Sequence, residues 1–355
     1  MLSGCATPAY IQKGYSPDQV GRIAVLPFID GRQHPDPKTD FKYISSEATS
    51  ILMPQIKYER NYLAFDTTDI GDVAEYSAQI IEPSKGQYAP PDYIKQLGPT
   101  QAKWVLVPVF DRLGRYNVVL YAGGSASLSF YLFNKDTGEL WWKGSAATSQ
   151  SMPGLIGGLA AAMDNYAMII QATIVDEQSA LKTWPKVKST VAHKAGGRKW
   201  MARRYSIGSA SDLQRIAVTS VVDGRRQESK NIAYEPTVIQ DRVLRALHRK
   251  GYDAFPIQGF GQQETVSKVQ VALADLAFGK SLAGVGSKYV LIPVADDVSN
   301  PPELVGNHYE FSFYLFNTDS GELIWEGDSF GKTLGGSMKA LTEKGGLPRH
   351  RDLVK

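Results

Sequence analysis

An internal repeat restricts the fold of this chain more than any other feature of its sequence. The segment LSFYLFNKDTGELWWKG at residues 128–144 matches FSFYLFNTDSGELIWEG at 311–327 without a gap, with twelve of seventeen positions identical. Upstream, KWVLVPV at 103–109 matches KYVLIPV at 288–294. Because the matching segments follow one another in the same order, the sequence predicts two homologous domains that arose by internal duplication.

Each repeat is predicted to begin with a strand that runs into a turn. RIAVLPFIDGR at 22–32 and RIAVTSVVDGR at 215–225 both place a β-branched, apolar run before an Asp-Gly pair. The apolar runs before the Asn-x-Asp-x-Gly loops are uninterrupted, which favours central strands covered on both faces. We therefore expect the α/β fold class, with a mixed α+β sheet and helices on both faces, in each of two homologous domains.

A helix is predicted to follow the first strand of each repeat. In the second copy Pro236 suits the first helical turn, and Gly251 suits the left-handed residue that ends a helix. Asn61, which tolerates the same conformation, stands at the equivalent place in the first copy. The apolar residues of this helix recur at helical spacing, which leaves three arginines pointing away from the core; these are Arg242, Arg245 and Arg249.

The repeat limits and the local composition predict five regions. They are a lipid-anchor tether at 1–19, a first α/β repeat domain at 20–181, a basic linker at 182–212, a second α/β repeat domain at 213–340 and a basic, frayed tail at 341–355. A long helix is expected at about 157–181. The net charge is only +3, but residues 182–211 hold eight Lys or Arg and no acid. The basic character therefore belongs to the linker.

The single cysteine, Cys5, excludes an internal disulfide framework and stands at the end of LSGC, residues 2–5. This segment resembles the lipobox of bacterial lipoproteins, which implies that Cys5 carries a diacylglycerol and becomes the first mature residue. Only Met1 precedes the segment, whereas a signal peptide needs an apolar stretch of about 7–15 residues, so we expect further residues upstream. Ala6, rather than Asp, implies the outer membrane. A buried or free thiol is the alternative.

The motifs IAVLPF, WVLVPV and DTGELWW resemble the small α/β domain shared by the amino-terminal region of TolB, the curli secretion lipoprotein CsgG and penicillin-binding-protein activator lipoproteins. The resemblance covers most of both halves of the chain. It implies a periplasmic interaction domain and gives no catalytic residues to carry over. A tandem pair departs from the single-domain members, so ring formation and partner identity do not transfer.

The sequence offers little support for an enzyme or a metal site. Its five histidines form no HExxH motif, and no GxSxG, GxxxxGK[ST] or strand-linked GxGxxG pattern occurs. We expect no catalytic residue, no metal and no cofactor. Carboxylates at Asp30, Asp223, Asp136 and the pair Asp296 and Asp297 are the candidates for ion binding or acid–base chemistry, with ordinary turn chemistry as the competing interpretation.

The basic linker is a candidate contact with a membrane, lipopolysaccharide or glycan, because clustered Lys and Arg attract anionic headgroups. The residues of this candidate surface are Lys186, Lys188, Lys194, Arg198, Lys199, Arg203 and Arg204. Interleaved aromatic residues also suit nucleic acid, but an exported lipoprotein does not meet it, so we expect no nucleic-acid partner. A solvated linker without a ligand is the third interpretation.

Together these patterns predict a non-catalytic periplasmic lipoprotein, anchored in the outer membrane through Cys5, that binds other envelope proteins as an assembly or secretion accessory factor. The alternative is a structural subunit of an oligomeric envelope or secretion complex, in which the segment 155–175 packs against a neighbouring subunit. A hydrolase with an unrecognised site is the third hypothesis. The predicted partners are envelope proteins, the membrane and further copies of the chain.

Overall fold

The structure is a computed structural model of the 355-residue chain. Cys5, the predicted lipidation site, lies outside the described residues, as do the Arg198 side chain and much of the predicted helix at 157–181. The structure describes residues 7–20, 22–32, 40–67, 102–118, 121–153, 169–175, 180–195, 198–210, 212–225, 235–257, 268–299 and 308–354.

The chain divides into two compact units between Val187 and Lys188. The strands of the first unit are β1 (Thr7–Ile11), β2 (Arg22–Val25), β3 (Ile29–Asp30), β4 (Leu63–Asp66), β5 (Trp104–Val118), β6 (Tyr121–Asn134) and β7 (Leu140–Pro153). Its helices are α1 (Pro17–Val20), α2 (Phe41–Pro54), which continues as a π-helical turn at Gln55–Glu59, and α3 (Ala180–Thr183). Residues 169–175 are also helical.

The second unit has a longer sheet and more described helices. Its strands are β8 (Val191–Ala195), β9 (Arg198–Arg204), β10 (Arg215–Val218), β11 (Val222–Asp223), β12 (Asp253–Pro256), β13 (Tyr289–Ser299), β14 (His308–Asn317) and β15 (Leu323–Gly331). Its helices are α4 (Pro236–Arg249), α5 (Lys268–Leu273), α6 (Leu276–Ser281), α7 (Lys339–Thr342) and α8 (His350–Leu353).

Both sheets are mixed and follow one plan. The first sheet runs β1-β7-β6-β5-β2-β4, with β3 beside β5, and the second runs β8-β9-β15-β14-β13-β10-β12, with β11 beside β13. In each sheet the short inner strand pairs in parallel, whereas the long hairpin strands pair antiparallel. The predicted α/β class is confirmed. Descent of the two units from one duplicated domain stays a prediction from the sequence.

Helices cover both faces of the second sheet. On one face α4 buries Ile239 and Val243 in a core that includes Phe313 of β14. On the other face Phe278 of α6 lies edge-on to Phe316, with ring centroids 5.6 Å apart. Successive residues of a strand point to opposite faces, so a strand covered on both faces needs apolar residues at every position. The sequence FYLF at residues 313–316 of β14 meets this requirement.

The helical segments that begin with α2 and α4 end as the sequence predicted. Asn61 has φ 64° and Gly251 has φ 90°, the left-handed conformation that stops a helix and turns the chain toward the next strand. The side-chain amide of Asn61 also donates a hydrogen bond of 3.2 Å to the carbonyl of Val187. These two residues therefore set the start of β4 and β12.

The segment 182–212, predicted as a basic linker, differs from that expectation because its apolar residues pack into both units. Trp184 is fully buried in the core of the first unit. Beyond it, β8 and β9 form a hairpin whose β9 pairs antiparallel with β15. Trp200 and Ala202 of β9 belong to the core of the second unit. These buried positions could not be recognised from the sequence because they stand among lysines and arginines, which are typical of an exposed linker.

The tail at 341–355, predicted to be frayed, is held against the second unit. The Lys250 ammonium donates hydrogen bonds of 3.0 Å to the carbonyl of Glu343 and 2.8 Å to that of Leu347. The hydroxyl of Tyr252 donates a bond of 2.8 Å to the carbonyl of Pro348. The polar ends of α4 and β12 thus satisfy carbonyl groups of an irregular segment, which a frayed tail would leave to water.

Candidate interaction surfaces

The two Asp-Gly-Arg turns form the same ion pair in each unit. At the end of β3, Arg32 donates to the carboxylate of Asp30 over 2.7 Å from Nε and 2.6 Å from Nη2. At the end of β11, Arg225 makes the same two bonds to Asp223 over 2.9 Å and 3.0 Å. Because each carboxylate holds an arginine of its own turn, the turn interpretation of these residues is favoured over an ion-binding one.

The glycine between these two charges has a steric reason. The amide of Gly31 donates a hydrogen bond of 3.0 Å to the carbonyl of Phe110, so the turn lies against β5. A Cβ at this position would come within 2.7 Å of a methyl carbon of Val109. In the second unit the amide of Gly224 makes the matching bond, 2.9 Å long, to Ala295. Close approach to β5 therefore explains the glycine of the first turn.

A second duplicated polar pair lies at a β-bulge in each sheet. The hydroxyl of Ser129 donates a hydrogen bond of 2.6 Å to Asp111, and Ser312 makes the same 2.6 Å bond to Asp296. In the second unit Ser312 also lies 3.4 Å from the buried carboxylate of Asp328. Sequence reasoning missed these pairs because each serine stands inside an apolar run. The available signal was that both repeats carry a serine at the same place in this run and an Asp, Asp111 or Asp296, near the end of the preceding strand.

The remaining candidate acids, Asp136 and Asp297, lie in a hairpin loop and in β13. Asn134 accepts a hydrogen bond of 2.9 Å from the amide of Asp136, which shapes the hairpin loop, and Gly138 there has φ 73°. Asp297 lies 3.7 Å from His308. Burial lowers the pKa of His308, while the nearby carboxylate acts in the opposite direction. Within the described ranges no three His, Cys, Asp or Glu side chains are grouped as metal ligands would be.

The structure gives the basic residues of the predicted membrane or glycan contact different environments. Lys186 belongs to the first unit and the others belong to the second. Four of the side chains are exposed, and these are Lys186, Lys188, Lys194 and Arg204. Two are half-buried, Lys199 and Arg203. The side chain of Arg198 is not among those described. These residues therefore carry the same charge but differ in their exposure to solvent.

The hairpin of β8 and β9 brings one pair of these residues together. Lys194 and Lys199 stand opposite each other in its register. Arg203 stands opposite Glu326 of β15, so a carboxylate on the neighbouring strand offsets part of its charge. Arg204 is the next residue of the strand and points to the other face. Membrane or glycan contact through these residues stays a prediction.

The two sheets differ at one edge. Among the described residues, β1 pairs with β7 and is the last strand of the first sheet, whereas β9, which pairs with β15, is followed by β8. On β1 the side chains of Tyr10 and Ile11 are 50% and 45% exposed. An edge strand with large exposed apolar side chains can add a further strand.

A groove of about 420 Å³ lies beside α4 in the second unit. One wall is the solvent face of α4, and the other is the segment between Gly335 and Thr342. The α4 wall carries three arginines, which are Arg242, Arg245 and Arg249. The sequence predicted that these side chains point away from the core, but gave no sign that a second segment would face them.

No protein-family model and no curated protein matches the chain. Among solved structures, a PelC dodecamer from Paraburkholderia phytofirmans has 13% identity and a TM-score of 0.25, covering 48% of this chain and 96% of that one. Lipoprotein GNA1162 from Neisseria meningitidis has 18% identity and a TM-score of 0.26, with coverage of 41% and 96%. The LpoB C-terminal domain from Salmonella enterica has 16% identity and a TM-score of 0.22, with coverage of 36% and 96%. Similarity at this level carries no conclusion about function.

None of the helices in the described ranges has the length and apolar character needed to cross a membrane.

Proposed function

We propose that this protein is a non-catalytic lipoprotein of the bacterial envelope, anchored through Cys5 to the periplasmic face of the outer membrane, that binds other envelope proteins as an assembly or accessory factor. The observation that carries the proposal is the position of the only cysteine, at the end of LSGC and directly before Ala6.

The state of the conspicuous carboxylates supports a binding role over a catalytic one. General acid–base catalysis needs a carboxyl group free to exchange a proton with a substrate. Asp30 instead forms a bidentate pair with Arg32, and Asp223 forms one with Arg225. Two sheets with exposed edge strands and loops present the kind of surface that a protein partner occupies.

Membrane fractionation of bacteria that express the chain behind a lipoprotein signal peptide tests the anchor. We expect the protein in the outer-membrane fraction, and the Cys5→Ser variant absent from that fraction, because it is neither lipidated nor processed. The matched control is Ala6→Asp, which keeps the cysteine but changes the residue expected to direct sorting, and we expect this variant, processed and lipidated, in the inner membrane. Equal outer-membrane association of the wild type and Cys5→Ser would refute the anchor.

A structural subunit of an oligomeric envelope complex is the second candidate function, and the edge of β1 favours it. In the second unit β8 covers the strand that corresponds to β1, but β1 itself ends its sheet among the described residues. Its exposed Tyr10 and Ile11 would be covered by a strand from another copy.

Native mass measurement tests this second function. An oligomer formed through β1 should lose its higher-mass species when Tyr10 and Ile11 are both replaced by Lys, because charges on an edge strand oppose strand addition. Val191 of β8 is also an exposed apolar residue on an edge strand, so Val191→Lys is the matched control. A single-chain mass for the wild type would rule out self-assembly through this edge.

A further inference from the structure

The arginines on α4 are not required by the fold. The buried residues of α2 and α4 correspond at the same spacing, with Ile44, Ala48 and Leu52 in the first helix matching Ile239, Val243 and Leu247 in the second. In this alignment Glu47, Ser50 and Pro54 of α2 stand where α4 has Arg242, Arg245 and Arg249. The first unit therefore builds the same helix without any of the three positive charges.

The three arginines form a row along one face of α4. They are spaced at i, i+3 and i+7, so the row extends about 10 Å along the helix axis. Arg245 is paired with Asp241 over 2.5 Å. Within the described part of the chain, Arg242 and Arg249 form no hydrogen bond or ion pair, and both side chains are exposed. Two cations of the row are thus available to a ligand.

The opposite wall makes the row part of a concave site. Gly335 lies in front of Arg242, and a Cβ built there would stand 4.0 Å from a guanidinium nitrogen. The lining also includes the side chains of Met338 and Ala246, which are 3% and 4% exposed. Val238, 40% exposed, stands in the same lining. The groove therefore combines apolar residues with a row of three arginines, and the only carboxylate that lines it among the described residues, Asp241, is paired with Arg245.

We propose that this groove binds an acidic, amphipathic segment of another protein, with carboxylates against Arg242 and Arg249 and apolar side chains against Val238. The inference rests on the proposed function in one respect, which is that the segment belongs to an envelope protein. It adds the chemistry of the partner and the surface that recognises it.

The shape of the site favours a peptide over the other anionic ligands. A membrane surface is broad and flat, so it cannot enter a groove between a helix and a second segment. A single phosphate spans far less than the row of about 10 Å. Carboxylates at i, i+3 and i+7 of a helix have the same axial spacing as the three arginines, about 10 Å from first to last, and guanidinium groups bind carboxylates through paired hydrogen bonds.

Peptide binding to the full-length chain, measured by fluorescence anisotropy, tests the proposal. The probe is a labelled helical peptide of about 15 residues with Glu at i, i+3 and i+7 and Leu on the adjoining face, a length at which isolated helices begin to form. A second peptide has Gln in place of each Glu. We expect saturable binding of the Glu peptide and at least tenfold weaker binding of the Gln peptide, since charge-assisted hydrogen bonds are lost.

Three variants, each of which changes the net charge by the same amount, test where the peptide binds. Arg242→Glu and Arg249→Glu should each weaken binding of the Glu peptide at least tenfold. The control is Arg351→Glu, whose side chain is 73% exposed and lies outside the lining of the groove, and it should bind as the wild type does. An equal loss in Arg351→Glu would show that only net charge matters and would overturn the proposal.

A fourth variant blocks the groove without removing any arginine. Gly335 has φ −70° and ψ −34°, a conformation that every residue adopts, so Gly335→Glu should fold and place a carboxylate beside Arg242. We expect it to compete with the peptide and weaken binding at least tenfold, while Gly335→Ala has little effect. Circular dichroism and the unfolding midpoint check that these variants fold.

Two competitors distinguish the other ligands. Phosphatidylglycerol vesicles and inorganic phosphate should not displace the peptide at concentrations that leave the ionic strength unchanged. Binding of vesicles or phosphate that depends on Arg242 and Arg249, without binding of the Glu peptide, would overturn the proposal and assign the groove to phosphate-bearing ligands. Lipidation of Cys5 is measured separately, so loss of the anchor and failure of the groove to bind peptide give different results.

Discussion

The indole nitrogen of Trp184 donates a hydrogen bond of 2.6 Å to the hydroxyl of Tyr15. The hydroxyls of Tyr15 and Tyr62 are 2.7 Å apart, and Tyr62 donates to the carbonyl of Pro185 over 2.6 Å. Trp184 is also stacked between Tyr62 and Trp142, with ring centroids 4.4 Å and 4.8 Å away. The segment that follows α3 is therefore fixed to the core of the first unit by both stacking and hydrogen bonds.

Tyr15 resists ionisation because it is buried, while its hydrogen bonds with Tyr62 and Trp184 act on its pKa in the opposite direction. Burial raises the pKa of Tyr15 to about 12, whereas a tyrosine of the unfolded chain titrates at about 10. The contribution of Tyr15 to folding stability is therefore complete below about pH 10 and is lost as the pH rises from about 10 to about 12. In ultraviolet titrations, the difference between wild type and Tyr15→Phe should be a tyrosinate signal centred near pH 12. A difference centred near pH 10 would contradict the buried network.

Lys250 should stabilise the second unit by holding the C-terminal segment. Burial lowers the pKa of Lys250, and its ammonium is bonded to the carbonyls of Glu343 and Leu347. Replacement by Met keeps the aliphatic stem but leaves both carbonyls without this donor, which should cost about 2 kcal/mol of unfolding free energy. Urea denaturation measures the change, and Lys344→Met, at an exposed position, is the control. Equal stability of the two variants would show that the segment is not held by Lys250.

The two Asp-Gly-Arg turns should differ in their energetic contribution. The carboxylate side chain of Asp30 is 14% exposed, and that of Asp223 is 36% exposed. Asp30→Asn removes the charge facing a buried guanidinium and should cost about 3 kcal/mol, whereas Asp223→Asn should cost about 1 kcal/mol because water screens that pair. Chemical denaturation of the two variants checks the order. A larger loss for Asp223→Asn would contradict the burial of the first turn.

The duplicated Ser–Asp pairs should also be unequal. Ser312 bonds to Asp296 and lies close to Asp328, which is only 3% exposed. Ser312→Ala should therefore cost about 1–3 kcal/mol of stability, because it removes a donor from a buried carboxylate. Ser129→Ala should cost less, since among the described residues Ser129 bonds only to Asp111, whereas Ser312 also lies beside the buried Asp328. Thermal unfolding of both variants gives the comparison, and equal shifts in Tm would count against the role of Asp328.

Much of the fold could be predicted because local sequence patterns govern it. The Asp-Gly turns, the left-handed residues Asn61 and Gly251, and the loop glycine Gly138 depend on neighbouring residues along the chain. The uninterrupted apolar run of β14 requires cover on both faces, and α4 and α6 provide it. These features follow from the chemistry of single segments.

The features that could not be predicted depend on contacts between distant segments. Residues 198–204 look like part of a charged linker until β15 lies beside them and Trp200 enters the core. Lys250 and Leu347 are far apart in sequence, so no local pattern links them. The groove beside α4 likewise needs the segment at Gly335, and the Ser312 bond needs the bulge at Asp296. Such sites arise from tertiary packing.

The most direct test of the central claim is the intact mass of the protein isolated from bacteria that process lipoproteins. The chain should be expressed behind a lipoprotein signal peptide and compared with the Cys5→Ser variant. A mature protein that begins at Cys5 and carries the added mass of a diacylglycerol, absent from Cys5→Ser, is the predicted result. An unmodified cysteine in the wild type would contradict the envelope lipoprotein account.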